Sequence, residues 1–387
     1  MSSHGGPLQG LKVVEFAGLG PAPFCGMLLS DLGADVIRID RKGARPYLKS
    51  SVTSRGRRSV AVDLKHPGAA AICLRLIDQA DILIEGFRPG VMERLGLGPD
   101  IALARKPALI YGRMTGWGQD GPNANQAGHD INYIALSGAL HAIGTKDQPV
   151  IPINLLGDFG GGSLYLAFGI MAALHHARAT GKGQVVDCAM VDGASSLMAM
   201  IYGYLASDYW KDQRQANSID GGSHYYNVYQ CQDSEWIAIG ASEPQFYANL
   251  LRNLGLEGPD FHPQRDRAKW PELKKRFAEA IRHKPRAEWL AIMEGSDCCV
   301  TPVLSLSDAP RHPHNVARST FVEIDGVVQP GPMPRFSQTP GAVRNPPVAI
   351  GADNFSALVA WGFDAQEVDQ LSRTGAVQDC SEASTEH

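Results

Sequence analysis

Short apolar runs alternate with amphipathic stretches through the first half of the chain. Leu11–Phe16 reads as a buried strand, Gly18–Pro21 as the turn out of it, Phe24–Asp31 as a helix and Ala34–Ile39 as a second strand. A strand, helix, strand unit implies a right-handed crossover and a parallel pair. The pattern recurs with Ser59–Asp63 as a strand, His66–Ala80 as a helix, and Ile82–Glu85 and Ala108–Met114 as strands. This alternation predicts a doubly wound α/β sheet, whose ligands gather at the carboxyl ends of the strands. Leu164, Leu166, Phe168, Ile170 and Leu174 predict a longer helix that ends near Arg178 before a cap at Thr180–Gly183. A strand over Gln184–Cys188 and a helix over Val191–Ser207 follow.

Beyond that point the pattern changes. The polar, glycine-rich run 211–224 reads as a linker, and Tyr226–Gln230 with Glu235–Ile239 as a hairpin. Ser242 caps and Pro244 opens a helix over Gln245–Leu254, followed by helices over Trp270–His283 and Arg286–Met293 and an extended Val300–Leu306. The expected domains are a large one over 1–210 and a small α+β one over 225–310, with a return linker over 311–324. Prolines 330, 332, 334, 340, 346 and 347 predict an extended tail, closed by amphipathic helices at Asp353–Trp361 and Ala365–Leu371.

Composition narrows the function. A formal net charge of −4 leaves no broad cationic surface for nucleic acid. The apolar runs near Leu164–Leu174 are glycine-interrupted and too short to cross a bilayer, so no membrane partner is expected. No secretory pattern follows Met1, and Ser384–His387 is not a peroxisomal address. Seven cysteines without framework spacing agree with a reducing cytoplasm. The glycines at 18 and 20, with Asp40 ending the second strand, outline a dinucleotide-binding turn, but Pro23 stands where the third glycine must pack. Gly-x-Ser-x-Gly, His-Glu-x-x-His and Walker patterns are absent, which removes the main support for serine hydrolase, zinc protease and P-loop readings.

Two glycine-flanked acid/base residues stand out. His129, between Gly128 and Asp130, opens one helix, and Asp158, ahead of three glycines, opens another. A helix mouth offers unpaired N–H groups and partial positive charge. An imidazole and a carboxylate at two such places, facing one carbon, form a site for moving a proton. The plainer reading makes His129 a helix-entry residue and Asp158 an N-cap. The glycines admit either a ligand or a second backbone. Arg41, Lys65, Arg88 and Arg94 sit at or just past strand ends, as solvated cations or as contacts for a multiply phosphorylated ligand.

Gly128–Tyr133, Asn154–Gly162, Met190–Gly193, Asp220–Gly222, Glu243–Tyr247, Ala268–Leu273 and Asp297–Val303 resemble the racemase branch of the family III CoA-transferases, from Leu8 to about Leu371. The resemblance implies an interlocked homodimer. Each subunit would have a large Rossmann-like domain, completed by the segment 325–387, and a small domain, with the active site shared between subunits. The implied reaction interconverts (2R)- and (2S)-2-methylacyl-CoA thioesters by two-base 1,1-proton transfer through an enolate. By similarity His129, paired with Glu243 of the partner subunit, serves one face of the α-carbon and Asp158 the other. The N–H of Asp130 takes the thioester oxygen. CoA is part of the substrate, so no cofactor and no metal are implied. Its contacts would come from Arg41, Val62, Asp63, Leu64, Lys65, Arg88, Arg94, Gly128 and Tyr133. The alternative within the family is a CoA-transferase that uses Asp158 as its nucleophile. His129 is the residue that favours the racemase.

Overall fold

The structure is a computed structural model and describes residues 5–378. Met1–His4, Cys380 and Ser384–His387, which entered the reading of targeting and cysteine usage, lie outside that range. Six parallel strands pair in the order β3-β2-β1-β4-β5-β6. They are β1 Lys12–Phe16, β2 Asp35–Arg41, β3 Arg58–Val62, β4 Ile82–Glu85, β5 Ile110–Thr115 and β6 Gln184–Ala189. The inner strands are almost wholly buried because helices cover both faces. On one face Val14, Ile37, Val60 and Leu83 meet Ile72 and Leu76 of the helix Ala69–Gln79. On the other, Val13, Val36, Ile84 and Ile110 meet Leu29 of α1 (Pro21–Asp31) and Leu166 and Ile170 of a long later helix. Each fully buried Leu or Ile contributes about 1.5–3 kcal/mol.

The buried charges of the sheet are paired. Arg57 reaches Glu15 at 2.9 Å, Arg38 reaches Asp40 at 2.9 Å, and Arg55 reaches Asp31 at 2.5 Å, all within the interior. Asp40 also accepts from the Ser59 and Tyr47 hydroxyls. The acid that a dinucleotide site would need at the end of β2 is therefore consumed by the protein itself. Removing one partner of such a pair typically destabilises by about 3–5 kcal/mol.

The chain after Arg318 returns to this sheet. Asp353 and Asn354 accept the N–H groups of Ser59 and Ala61, and Val377 bridges Val62, which closes the open edge of β3. Phe321–Ile324 and Val327–Pro330 form an antiparallel hairpin where the sequence reading has a linker and an extended tail. The overlooked signal is Asp325-Gly326, whose φ values of 50° and 79° suit a tight hairpin turn.

The chain divides into two compact units: residues up to Ser137, Ile153–Leu197 and from Arg318 on, and then Gly138–Pro152 with Met198–Ala317. This boundary falls earlier than the polar run 211–224. It lies where the expected helix over Val191–Ser207 breaks into Met190–Leu197 and Ala199–Ala206. In the second unit, three antiparallel strands, Tyr226–Gln230, Trp236–Gly240 and Val300–Pro302, carry a core of Tyr225, Tyr247, Leu250, Phe277 and Trp289. The first unit positions the chemistry through α2 (Asp130–Leu136), α3 (Tyr165–Thr180) and α4 (Met190–Leu197).

Candidate active site

β5 ends at Thr115, and the loop beyond it delivers His129 as the N-cap of α2 in extended conformation, φ −131° and ψ 172°. Asn132 fastens the entry by accepting the His129 N–H at 3.0 Å. The imidazole is exposed, and Asp130 becomes the first residue of the helix. A first-turn N–H has no partner within its own helix and is free for an oxyanion.

Asp158 is not an N-cap. Leu155–Leu164 winds as a π-helix and passes directly into α3, so Asp158 lies in its first turn, behind Asn154. Its glycines serve packing against a second backbone. A Cβ on Gly193 of α4 would lie 1.8 Å from the Gly161 carbonyl oxygen, and one on Gly161 would lie 2.5 Å from the Ala194 nitrogen. Only glycine permits that approach. The combined run Leu155–Thr180 is, by length and composition, long and apolar enough to cross a bilayer, contrary to the expectation that glycines interrupt it. Here one side of it, at Leu166, Ile170 and Ala173, packs on the sheet.

The Asp158 carboxylate is held from several directions. Asn154 Nδ2 donates to Oδ2 at 3.0 Å, and the Asp158 N–H donates to Asp130 Oδ1 at 2.7 Å. The Ser163 hydroxyl lies 2.7 Å from the Pro21 carbonyl and 3.0 Å from that of Asp158, tying this turn to the start of α1. Burial raises the Asp158 carboxyl above the usual carboxylate range; the Asn154 bond opposes that, Asp130 adds to it and His129 opposes it. A carboxyl so placed holds its proton more readily than a solvated one.

His129 and Asp158 line one cleft of about 530 Å³. Its walls come from the carboxyl ends of β1, β4 and β5, through Leu19–Ala22, Gly86–Pro89 and Met114–Trp117. The strand order reverses between β1 and β4, the point where open α/β sheets bind ligands. Of the expected contacts, Gly128, Tyr133 and Arg88 line the same cleft. The Tyr133 ring is buried edge-on to Trp117, centroids 4.7 Å apart, and burial first, then Asp158, raises its hydroxyl.

Arg41, Arg94 and the 62–65 segment do not line this cleft. Arg41, the last residue of β2, and Lys65, past β3, are exposed, and Arg94 is exposed over Gly90. The Val62 side chain is fully buried and the residue is bridged to Val377. Leu64 packs against the core, and Asp63 Oδ1 accepts the Lys65 N–H. Glu243 belongs to the second unit, where it is exposed and itself caps Pro244–Leu254, the position expected of Ser242. Its charge raises the Cys299 thiol after burial does. Leu19 and Gly20, which from sequence belong only to a turn and a dinucleotide outline, also line this cleft; the positive φ of Gly20, 69°, sets the turn that brings it against Asp158.

Residues 8–354 match the profile of CoA-transferase family III. The chain is 44% identical over 370 residues to α-methylacyl-CoA racemase of Mus musculus, covering 94% of this chain and 96% of that protein. It is likewise 44% identical over 369 residues to the Homo sapiens protein of the same name, covering 94% and 96%. A solved CaiB/BaiF family protein from Brucella suis superposes with a TM-score of 0.79 at 26% identity, covering 92% of this chain and all, 100%, of that one.

Proposed function

The chain belongs to CoA-transferase family III, and from that membership we propose that it racemises 2-methylacyl-CoA thioesters, interconverting the (2R) and (2S) forms through an enolate. The observation that carries this reading is the cleft in which His129 and Asp158 both stand. In one direction the imidazole removes the α-proton, and the C–H electron pair passes into the enolate with charge on the thioester oxygen. The Asp158 carboxyl then delivers a proton to the opposite face, and the reverse reaction exchanges the roles. The Asp130 N–H, first in α2, receives the enolate oxygen; a donor of this kind is worth about 100- to 1000-fold in rate. The thioester supplies the acidity, so the chemistry proceeds without cofactor or metal.

Arg88 at the cleft and Arg41, Lys65 and Arg94 beyond it are the cations available to the nucleotide part of CoA. We assign Glu243 to the imidazole of a partner subunit in a homodimer. In support of a partner, the helical run leaves Leu155, Leu164 and Phe168 exposed, the last at 74%.

The test is incubation with one epimer of a 2-methylacyl-CoA in deuterated water without an acceptor acid. Deuterium at the α-carbon with appearance of the other epimer is expected. Acyl transfer to an added acid without α-deuteration would overturn the proposal and make Asp158 a nucleophile. His129→Ala and Asp158→Asn should each abolish inversion while CoA binding persists.

A further inference from the structure

The side chain of Asp130 sits apart from the backbone N–H assigned above. The residue is 6% exposed, and its Oδ1 accepts the Asp158 N–H at 2.7 Å. Oδ2 is also buried and has no hydrogen-bond partner among the described residues. A Cβ on Gly157 would lie 2.6 Å from Oδ1 and 2.9 Å from Cγ, so the chain before Asp158 is pressed against this carboxylate. One carboxylate is thus joined through a single peptide bond to His129 and through a single hydrogen bond to Asp158. A carboxylate buried without a cation is disfavoured, an effect only partly offset by the start of a helix. A neutral amide would accept the same N–H without that penalty. Retaining the charge calls for a use.

Resting on the two-base reading, we propose that the Asp130 carboxylate is a positioning residue: it clamps the Asp158 backbone to the start of the helix that presents His129. The two bases then keep one separation across the substrate carbon. The charged or titratable groups facing Asp158 are Asp130, His129 and Tyr133, with Arg88 acting on Tyr133. The Asp130 charge opposes ionisation of Asp158 and His129 favours it. The clamp therefore also helps Asp158 to serve as an acid.

The experiment compares Asp130→Ala and Asp130→Asn in the full chain, which both keep the backbone N–H. Each epimer is followed separately for α-deuteration and for inversion, with thermal unfolding and CoA binding as checks on the fold. In Asp130→Ala, Asp158 loses its anchor, and a base misplaced by an ångström slows its transfer by about 100-fold. His129 is exposed and exchanges its own proton with solvent. The epimer it deprotonates should still take up deuterium on the same face, so the ratio of exchange to inversion rises by about tenfold or more. In Asp130→Asn the acceptor remains and the charge is gone. The acid limb for the epimer deprotonated by Asp158, and the alkaline limb for the other, should both move to lower pH.

Equal loss of exchange and inversion in Asp130→Ala, or unimpaired inversion, would overturn the proposal. So would unmoved limbs in Asp130→Asn, which decide the matter if the Ala variant does not fold. Failure of the two-base reading is distinct: the unsubstituted protein would then show no α-deuteration at all.

Discussion

His224 should make the second unit acid-labile. Its imidazole is 0% exposed and boxed by Tyr225, Tyr247 and Phe277. Nε2 lies 2.7 Å from the Tyr247 hydroxyl, which itself donates to the Phe261 carbonyl at 3.1 Å. The ring nitrogen must then carry the hydrogen, so the bare lone pair falls on Nδ1, which has no partner among the described residues. A proton added there meets no acceptor. Burial first, and Lys274 second, lower the group from 6.5 to about 4. As pH falls below 6.5 the unfolded chain binds a proton that the folded one refuses. The stability is complete above 6.5 and is lost progressively down to about 4. At 1.36 kcal/mol per unit the full loss is ~3 kcal/mol, of which ~1.4 kcal/mol is gone by pH 5.5. Urea unfolding of the unsubstituted protein and of His224→Phe across this window measures the difference. The variant fills the box without a titrating group, so its stability should depend less on pH by ~3 kcal/mol over the window. Identical pH slopes in the two proteins would refute the reasoning.

At the cleft, Asn154→Ala removes the donor that holds the Asp158 carboxyl down, leaving burial and Asp130 to raise it further. The limbs governed by Asp158 in kcat/KM–pH profiles should move to higher pH, the opposite of Asp130→Asn; measurement from both epimers checks the sign. Arg88→Ala should weaken CoA binding by about tenfold at low salt, the worth of one charge-assisted contact. Calorimetric titration at two ionic strengths should find the difference smaller at the higher one.

The sheet was readable because its strands are short runs rich in β-branched residues set between turn signals, and Leu11–Phe16, Ile82–Glu85 and Gln184–Cys188 fall within a residue or so of the strands observed. Helix ends marked by proline were equally legible, as at Pro244 and Trp270-Pro271. The tail was misread at one place because its prolines outweighed Asp325-Gly326, although a tight turn between β-branched residues is the stronger local instruction. Val62 was carried into the CoA set by likeness of segment. The chain that buries it returns from more than three hundred positions away, at Val377, beyond the reach of any local pattern.

The misreading of Asp158 has a different origin and bears on the chemistry. Glycine lowers helix propensity by about 1 kcal/mol relative to alanine, so three in a row after an aspartate reads as a boundary with a cap. The contact between Gly161 and Gly193 offsets that penalty by letting two backbones touch. The helix therefore continues through the glycines, and in doing so widens to π geometry. A cap would have spent the Asp158 carboxylate on its own helix N–H groups and lowered its proton affinity. Set one turn inside, the carboxylate is free of that duty. Asn154 and the cleft meet its side chain, and Asp130 meets its N–H. The glycines thus act at a distance from the carboxylate: by packing against α4 they carry the helix past it, so that its side chain meets Asn154 and the cleft instead of helix N–H groups.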